Sequence, residues 1–363
     1  MRQIAKLSRI IGVAGAIIGA ASSLPQAVQA QEVDFTGETI EIMVNFAAGG
    51  GTDTAARLVA PFVAKHLPGK PNLIVTNKAG AGGTAAIAYL MDSVAPDGLH
   101  IGYFAGTPLR WALGMDQVPQ GTGDLPFVGA RSVNQIFMVR TDANLDFDAF
   151  PDNKNPIFFA VNSPDNHVAI RAKLLANAIG ADNFKIITGY KTQGKMVAAA
   201  RAKETEMAQT NDSFFGANRE ALVGDGVLKP LGQMGEYNNG KIGAQNGLED
   251  IPVFDELWRS ASPETVDSPA YNAWEGLHIA MSIQNSFVLP PDTPEKFYKV
   301  WGDAIAAAYQ DPDYIKQLNA AGVPIPTAVG YEETKARMKS LEEIFSDPET
   351  RTAIEAAIDQ NME

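Results

Sequence analysis

Cysteine is absent from all 363 residues. That excludes disulfides, thiol catalysis and a lipid anchor attached at a cleavage-site cysteine. Histidine is scarce: His66, His100, His167 and His278 are scattered along the chain, so a clustered metal site is not expected. His66 reads as a surface or packing residue. The hydrolase, metalloprotease and redox patterns G-x-S-x-G, H-E-x-x-H and C-x-x-C do not occur. Positive charge is the minority sign, 29 Lys and Arg against 42 Asp and Glu, for a formal net charge of −13. A surface this acidic argues against nucleic acid and anionic lipid as partners. An anionic ligand would have to be held by local dipoles rather than by the overall field. After the first thirty residues no run is apolar enough for a transmembrane helix.

Those thirty residues have a character of their own. Arg2, Lys6 and Arg9 make a basic start, Ile10 to Ala21 is uncharged and apolar, and Val28-Gln29-Ala30 is a small-residue end. This is the layout of a secretory signal peptide cleaved after Ala30. The apolar run is too short for the ~20 residues that span a bilayer. Cleavage would leave 333 residues with a net charge of −16, enough chain for two domains with sizeable cores.

A βα rhythm follows. Thr39–Phe46 reads as a strand, and the next helix carries Ala55, Leu58, Val59, Phe62, Val63 and Leu67 at the spacing of a buried face, with Pro61 bending it. A strand over Asn72–Asn77 leads through Lys78–Gly83 to a helix over Thr84–Ser93, and Leu99–Phe104 is a third strand. Further on, strands are expected at Ile157–Val161, Phe184–Thr188, Glu206–Thr210 and Val227–Met234, and helices at Asp165–Ala178 and Gln193–Lys203. Residues 235–272, rich in Gly, Asn, Ser and Pro, read as a long irregular loop. The last third is helical, with Thr293 expected to cap a helix that has Pro294 in its first turn. Such repetition implies mostly parallel sheets covered by helices, with ligands at the carboxyl ends of the strands.

Two glycine-rich turns lie at that edge, Gly49–Thr52 and Gly80–Gly83. Three readings compete for them. Gly80-Ala81-Gly82-Gly83-Thr84-Ala85 formally fits the dinucleotide fingerprint G-x-G-x-x-A, but the acidic residue expected at the end of the next strand is missing and neither turn has G-K-[ST]. Alternatively the turns are structural; Asp53 would favour the helix dipole and cap a free N–H, yet repel a bound phosphate. The third reading is a carboxylate site, in which two helix starts, each with about half a positive charge and unpaired N–H donors, hold one carboxylate without lysine or arginine.

The stretches VNFAAGGGTDTAARL, NKAGAGG and APDG, with GYK at 189–191, LEDIPVFDEL at 248–257 and the run from Pro290 to Gly322, resemble the Bug-type periplasmic solute receptors of tripartite tricarboxylate transporters. The resemblance implies a two-domain α/β periplasmic binding protein of type II-like architecture with a ligand cleft between the domains. Domain I would comprise residues 31–133 and 236–363, and domain II residues 134–235. It further implies a small organic carboxylate (mono-, di- or tricarboxylate or aromatic acid) as ligand, permease subunits as partners, a periplasmic monomer, and neither cofactor nor metal. By the same resemblance the ligand would meet Phe46, Ala48, Gly49, Gly50, Gly51 and Thr52 of the first loop. Asn77, Gly80, Ala81, Gly82 and Gly83 of the second loop would share its carboxylate, with Thr107 nearby. Tyr190, Lys191, Asn211 and Asp212 would face its far side, Lys191 meeting a second carboxylate. Asn45 and Ala48 stand where the family commonly has proline, which predicts a softer first loop. A ligand sensor for a membrane kinase would look the same, and an exported enzyme on a carboxylate is the rival of a different class.

Overall fold

In the computed structural model, residues 33–164 and 166–360 are described. The expected signal peptide and the expected helix start at Asp165 lie outside the described residues. The chain runs β1 (Thr39–Val44), α1 (Gly51–His66), β2 (Asn72–Asn77), α2 (Thr84–Ser93), β3 (His100–Ala105), α3 (Thr107–Ala112) and β4 (Phe127–Arg131). It continues through β5 (Gln135–Arg140), β6 (Ile157–Ala160), α4 (His167–Ala178), β7 (Phe184–Ile187), α5 (Gln193–Arg201), β8 (Met207–Asn211), α6 (Asp212–Val223) and β9 (Leu228–Gln233). Then come β10 (Glu236–Asn238), β11 (Lys241–Gly243), α7 (Phe254–Ala261), α8 (Pro269–Ser282) and β12 (Asn285–Val288). The last elements are α9 (Lys296–Tyr309), α10 (Pro312–Ala320), β13 (Ala328–Val329), α11 (Tyr331–Ser346) and α12 (Pro348–Asp359).

The strands form two main sheets flanked by helices, ordered β13-β4-β12-β3-β1-β2 and β7-β6-β8-β5-β9, beside the small β10-β11 hairpin. In the first sheet β1 to β4 run one way and β12 and β13 the other; in the second, β5 alone is reversed. The order therefore occurs twice: β2-β1-β3-β12-β4 matches β7-β6-β8-β5-β9, each with one reversed strand in the same place. No sequence repeat signals this duplication, because it is one of topology. Parallel strands joined by right-handed crossovers put every βα turn of a sheet on one edge. The loops after β1, β2 and β3 thus share an edge, and so do those after β6, β7 and β8.

The chain passes from one sheet to the other at Ser132–Asn134 and again after Gln233. Apolar packing joins the two sheets: one buried cluster contains Phe104 and Phe127 of the first, Phe137 and Phe159 of the second, and Trp258, Trp274 and Leu277 of the helices between. Phe254 packs on Phe137 with ring centroids 5.1 Å apart.

Two expectations need correction. Residues 235–272 are not a long irregular loop but hold β10, β11, α7 and the start of α8. The Phe254, Leu257 and Trp258 face of α7 is buried, and that amphipathic spacing outweighs the Gly and Asn content around it. Thr293 does not cap α9: its hydroxyl donates to the Pro290 carbonyl (2.7 Å), and Glu295 occupies the cap. The chain first makes tight turns, Phe297 N–H to Pro294 and Tyr298 N–H to Glu295 (both 3.0 Å), so the helix starts later. Pro61 is accommodated inside α1.

Candidate functional site

The two glycine loops adjoin, and a few side chains tie them together. Asp53, almost fully buried in the first turn of α1, accepts hydrogen bonds from the Gly49 N–H (2.8 Å), from Asn77 Nδ2 (2.9 Å) and from Arg57 Nε (3.0 Å). Asn77 Nδ2 also donates to the Phe46 carbonyl (3.0 Å), and Arg57 Nη2 to Asn77 Oδ1 (3.0 Å). The bond from Arg57, with those from Gly49 and Asn77, holds the Asp53 carboxyl down at about 2. Asp53 is thus spent on shaping the loops, and Arg57 neutralises it.

Asn45 anchors the same loop from behind. Fully buried, it donates to the Ala105 carbonyl (3.1 Å) and accepts the Ala105 N–H (3.0 Å), fastening the end of β1 to the end of β3. A loop lacking prolines is here braced by a side-chain amide instead. Gly83 is required by this brace: a Cβ there would lie 2.6 Å from Asn45 Nδ2, at a φ of +101°. The other glycines differ. Ala48, Gly49, Gly50, Gly51, Gly80, Ala81 and Gly82 are exposed, Phe46, Thr52 and Asn77 half-buried. Gly51 is without a positive φ, and a Cβ on it would meet nothing within 4 Å. The fold itself does not demand a glycine there.

The helix starts show an asymmetry between the sheets. α1 and α2 begin on Gly50 and Gly83, with no side-chain cap. At the corresponding edge of the second sheet α4, α5 and α6 are capped by Asn166, Thr192 and Asn211. The helix starts of the first sheet thus lack side-chain caps, although the Gly83 and Thr84 N–H groups are taken by the Gly80 and Ala81 carbonyls, whereas side chains cap those of the second. Thr107, just past β3, is fully buried and its hydroxyl finds no hydrogen-bond partner.

Three of the residues expected on the far side have partners within the fold. The Tyr190 hydroxyl donates to Glu204 (3.2 Å). Asn211 caps α6 through the Phe214 N–H (2.8 Å). Asp212 is buried, with Arg131 Nη2 at 3.7 Å and Gln245 Nε2 at 3.2 Å. Lys191 is exposed. His66 Nε2 pairs with Asp311 (2.8 Å), as a packing role implies. Sequence reasoning gave no role to Arg57, Arg110 and Arg171 and no bracing role to Asn45. Asn45 meets Ala105 and Arg171 meets Gln135 far along the chain. Arg57, by contrast, lies four residues from Asp53 and Arg110 five from Ala105, a spacing that could have signalled the first pair. Two cavities lie away from the loops, one between Phe215 and Pro324 and one beside Tyr89 and His100.

A repeated five-strand order, two crossing segments and helix starts gathered at the carboxyl ends of the strands give the fold of a two-domain periplasmic binding protein. The chain belongs to the UPF0065 family, that of the Bug and TctC solute-binding proteins: it is 36% identical over 351 residues to a UPF0065 protein of Agrobacterium vitis encoded in the TAR-I ttuE-ttuC' intergenic region, covering 92% of this chain and 90% of that one. No protein-family model matches it. Among solved structures, a TctC solute-binding protein from Polaromonas shares the fold with a TM-score of 0.61 at 19% identity, over 87% of this chain and 98% of that one. A Rhodopseudomonas palustris protein solved with adipate does so with a TM-score of 0.59 at 16% identity, over 89% and 98%.

Proposed function

We propose that this protein is an exported receptor that takes a small organic carboxylate between its two sheets and delivers it to a membrane tripartite tricarboxylate transporter. On this reading it acts in the periplasm as a monomer after cleavage at Ala30, and binds neither metal nor nucleic acid. It does not turn its ligand over. Residues 31–133 and 236–363 form the domain that presents the glycine loops, and 134–235 the domain that closes over them. The observation that carries the reading is the pair of uncapped helix starts on loops braced by Asp53, Asn77 and Asn45. Phe46–Thr52 and Asn77–Gly83 hold the carboxylate mainly through backbone N–H groups, and the unpartnered Thr107 hydroxyl adds a donor. The adipate in the Rhodopseudomonas palustris relative is a ligand of the same chemistry.

A thermal-shift screen over mono-, di- and tricarboxylates and aromatic acids, with and without chelator, tests this. A ligand at one hundred times its dissociation constant adds ~2.7 kcal/mol, roughly several degrees in melting temperature for a chain of this size. At least one carboxylate should give such a shift, unchanged by chelator. A flat response to the whole panel, or shifts that vanish with chelator, overturns the proposal.

A further inference from the structure

We propose that Arg110 forms a second anion subsite, so that the preferred ligand is a dicarboxylate whose far carboxylate is taken by Arg110. This rests on the carboxylate-receptor reading and adds to it a ligand class and a specificity residue.

Position comes first. The Arg110 guanidinium folds back over the turn between β3 and α3: Nη1 donates to the Ala105 carbonyl (3.2 Å), and a Cβ on Gly106 would lie 2.4 Å from that nitrogen. The same Ala105 carbonyl accepts Asn45 Nδ2, the residue that anchors the first glycine loop. One backbone carbonyl thus ties Arg110 and that loop to a common point. Arg110 is only half-buried, so its remaining donors stay within reach of a ligand.

Charge comes second. Arg171 is fully buried, yet its bonds go only to neutral groups: Gln135 Oε1 (2.6 Å), His167 Nδ1 (3.1 Å) and the His167 carbonyl (3.3 Å), while Nη1 has no partner. Among the described residues neither Arg171 nor Arg110 pairs with a carboxylate. Elsewhere the fold does neutralise a buried guanidinium, Arg131 by Asp212 at 3.7 Å. Burying a cation without a counter-ion is costly, and desolvation brings the Arg171 guanidinium down to about 9. His167 feels both arginines: burial first, then Arg171 and Arg110, push its pKa well below the usual value. A neutral imidazole whose Nδ1 accepts from Arg171 carries its proton on Nε2, a further donor. Two guanidiniums and an imidazole N–H, none paired with a carboxylate among the described residues, are donors that stand in a chain of net charge −13.

Carboxylate is the complement of such donors, since a guanidinium fork matches it with two parallel hydrogen bonds. A monocarboxylate on the glycine loops would leave Arg110 unused; a dicarboxylate would engage both. The capped starts of α4, α5 and α6 leave side chains, rather than backbone, to contribute from the second sheet.

The test is isothermal titration of the mature protein with pairs of equal chain length, adipate against hexanoate and succinate against butyrate. The wild-type protein should prefer the dicarboxylate of a pair. Arg110→Gln should weaken it ~tenfold to a hundredfold, the loss of one charge-assisted contact, and leave the monocarboxylate unchanged; Arg110→Lys should recover part of the loss. An unchanged monocarboxylate affinity also shows that the variant is folded. Equal wild-type affinity for both members of every pair overturns the inference while leaving the receptor reading intact. Equal loss of both ligands in Arg110→Gln overturns it likewise. Binding of no carboxylate by the wild-type protein overturns both.

Discussion

Glycines in the two loops separate into those the fold needs and those it does not. Gly83 has a φ of +101° and the Asn45 amide against it, so Gly83→Ala forces a strained backbone and displaces the brace between β1 and β3. A loss of roughly 1–3 kcal/mol in stability is expected. Gly51 has open space around the missing Cβ and begins a helix, where a side chain costs the fold little. Gly51→Val should therefore melt within a degree or so of wild type, yet hold a carboxylate at least about tenfold more weakly, because bulk keeps the ligand from the N–H groups. Calorimetric melts and titrations on both variants check this, and wild-type affinity in Gly51→Val would remove the first loop from the site. Asp53 belongs with the structural group: the depressed carboxyl, the Arg57 pair and the Gly49 and Asn77 bonds mark it as the brace of both loops.

At the scale of elements, the two crossing segments decide how one sheet is attached to the other. Asn134, fully buried, binds both sides of the second crossing: its Nδ2 donates to Gln233 Oε1 (2.7 Å), and its Oδ1 accepts the Gly235 N–H (2.9 Å). Gln233 in turn donates to the Leu248 and Ile251 carbonyls (2.8 and 2.7 Å). Next to them Glu236 bonds to Ser132 and to the Thr327 hydroxyl, and burial pushes its carboxyl above the usual range. Asn134→Ala would strip the Gly235 N–H of its partner in a place water does not reach. Leaving such a group unsatisfied costs about 1–3 kcal/mol, so the urea midpoint should fall by that amount over the denaturant slope. A midpoint within error of wild type would show that the crossings do not depend on this amide.

For the whole molecule the long-range field opposes the ligand, and only short-range donors favour it. A net charge of −13, or −16 after the proposed cleavage, repels a carboxylate approaching from solution. The Debye length is ~30 Å at 0.01 M salt and ~8 Å at 0.15 M. Added salt should thus hide the distant acidic surface more than the guanidiniums and helix starts that touch the ligand. The association rate of a dicarboxylate, followed by stopped flow, should rise between those salt concentrations. A fall would mean that the local donors steer the approach and dominate the field outside the cleft.

The two-domain binding-protein architecture was implied by the resemblance of whole stretches to a family; by itself the sequence determined which segments alternate as strand and helix and where both glycine loops lie on a strand's carboxyl end. These are local matters: apolar period, glycine and helix-start chemistry are read within a dozen residues. Asn72–Asn77 and Thr84–Ser93 coincide with β2 and α2 for that reason. The tertiary structure alone decided what the polar side chains do. Asn45 meets Ala105, Asp53 meets Asn77 and Arg171 meets Gln135 across separations of 60, 24 and 36 residues. Asp212 and Asn211, expected by resemblance at the ligand, also serve a buried pair and a helix cap. A donor's neighbours across the fold, not its neighbours along the chain, fix whether it is spent on structure or left for a ligand.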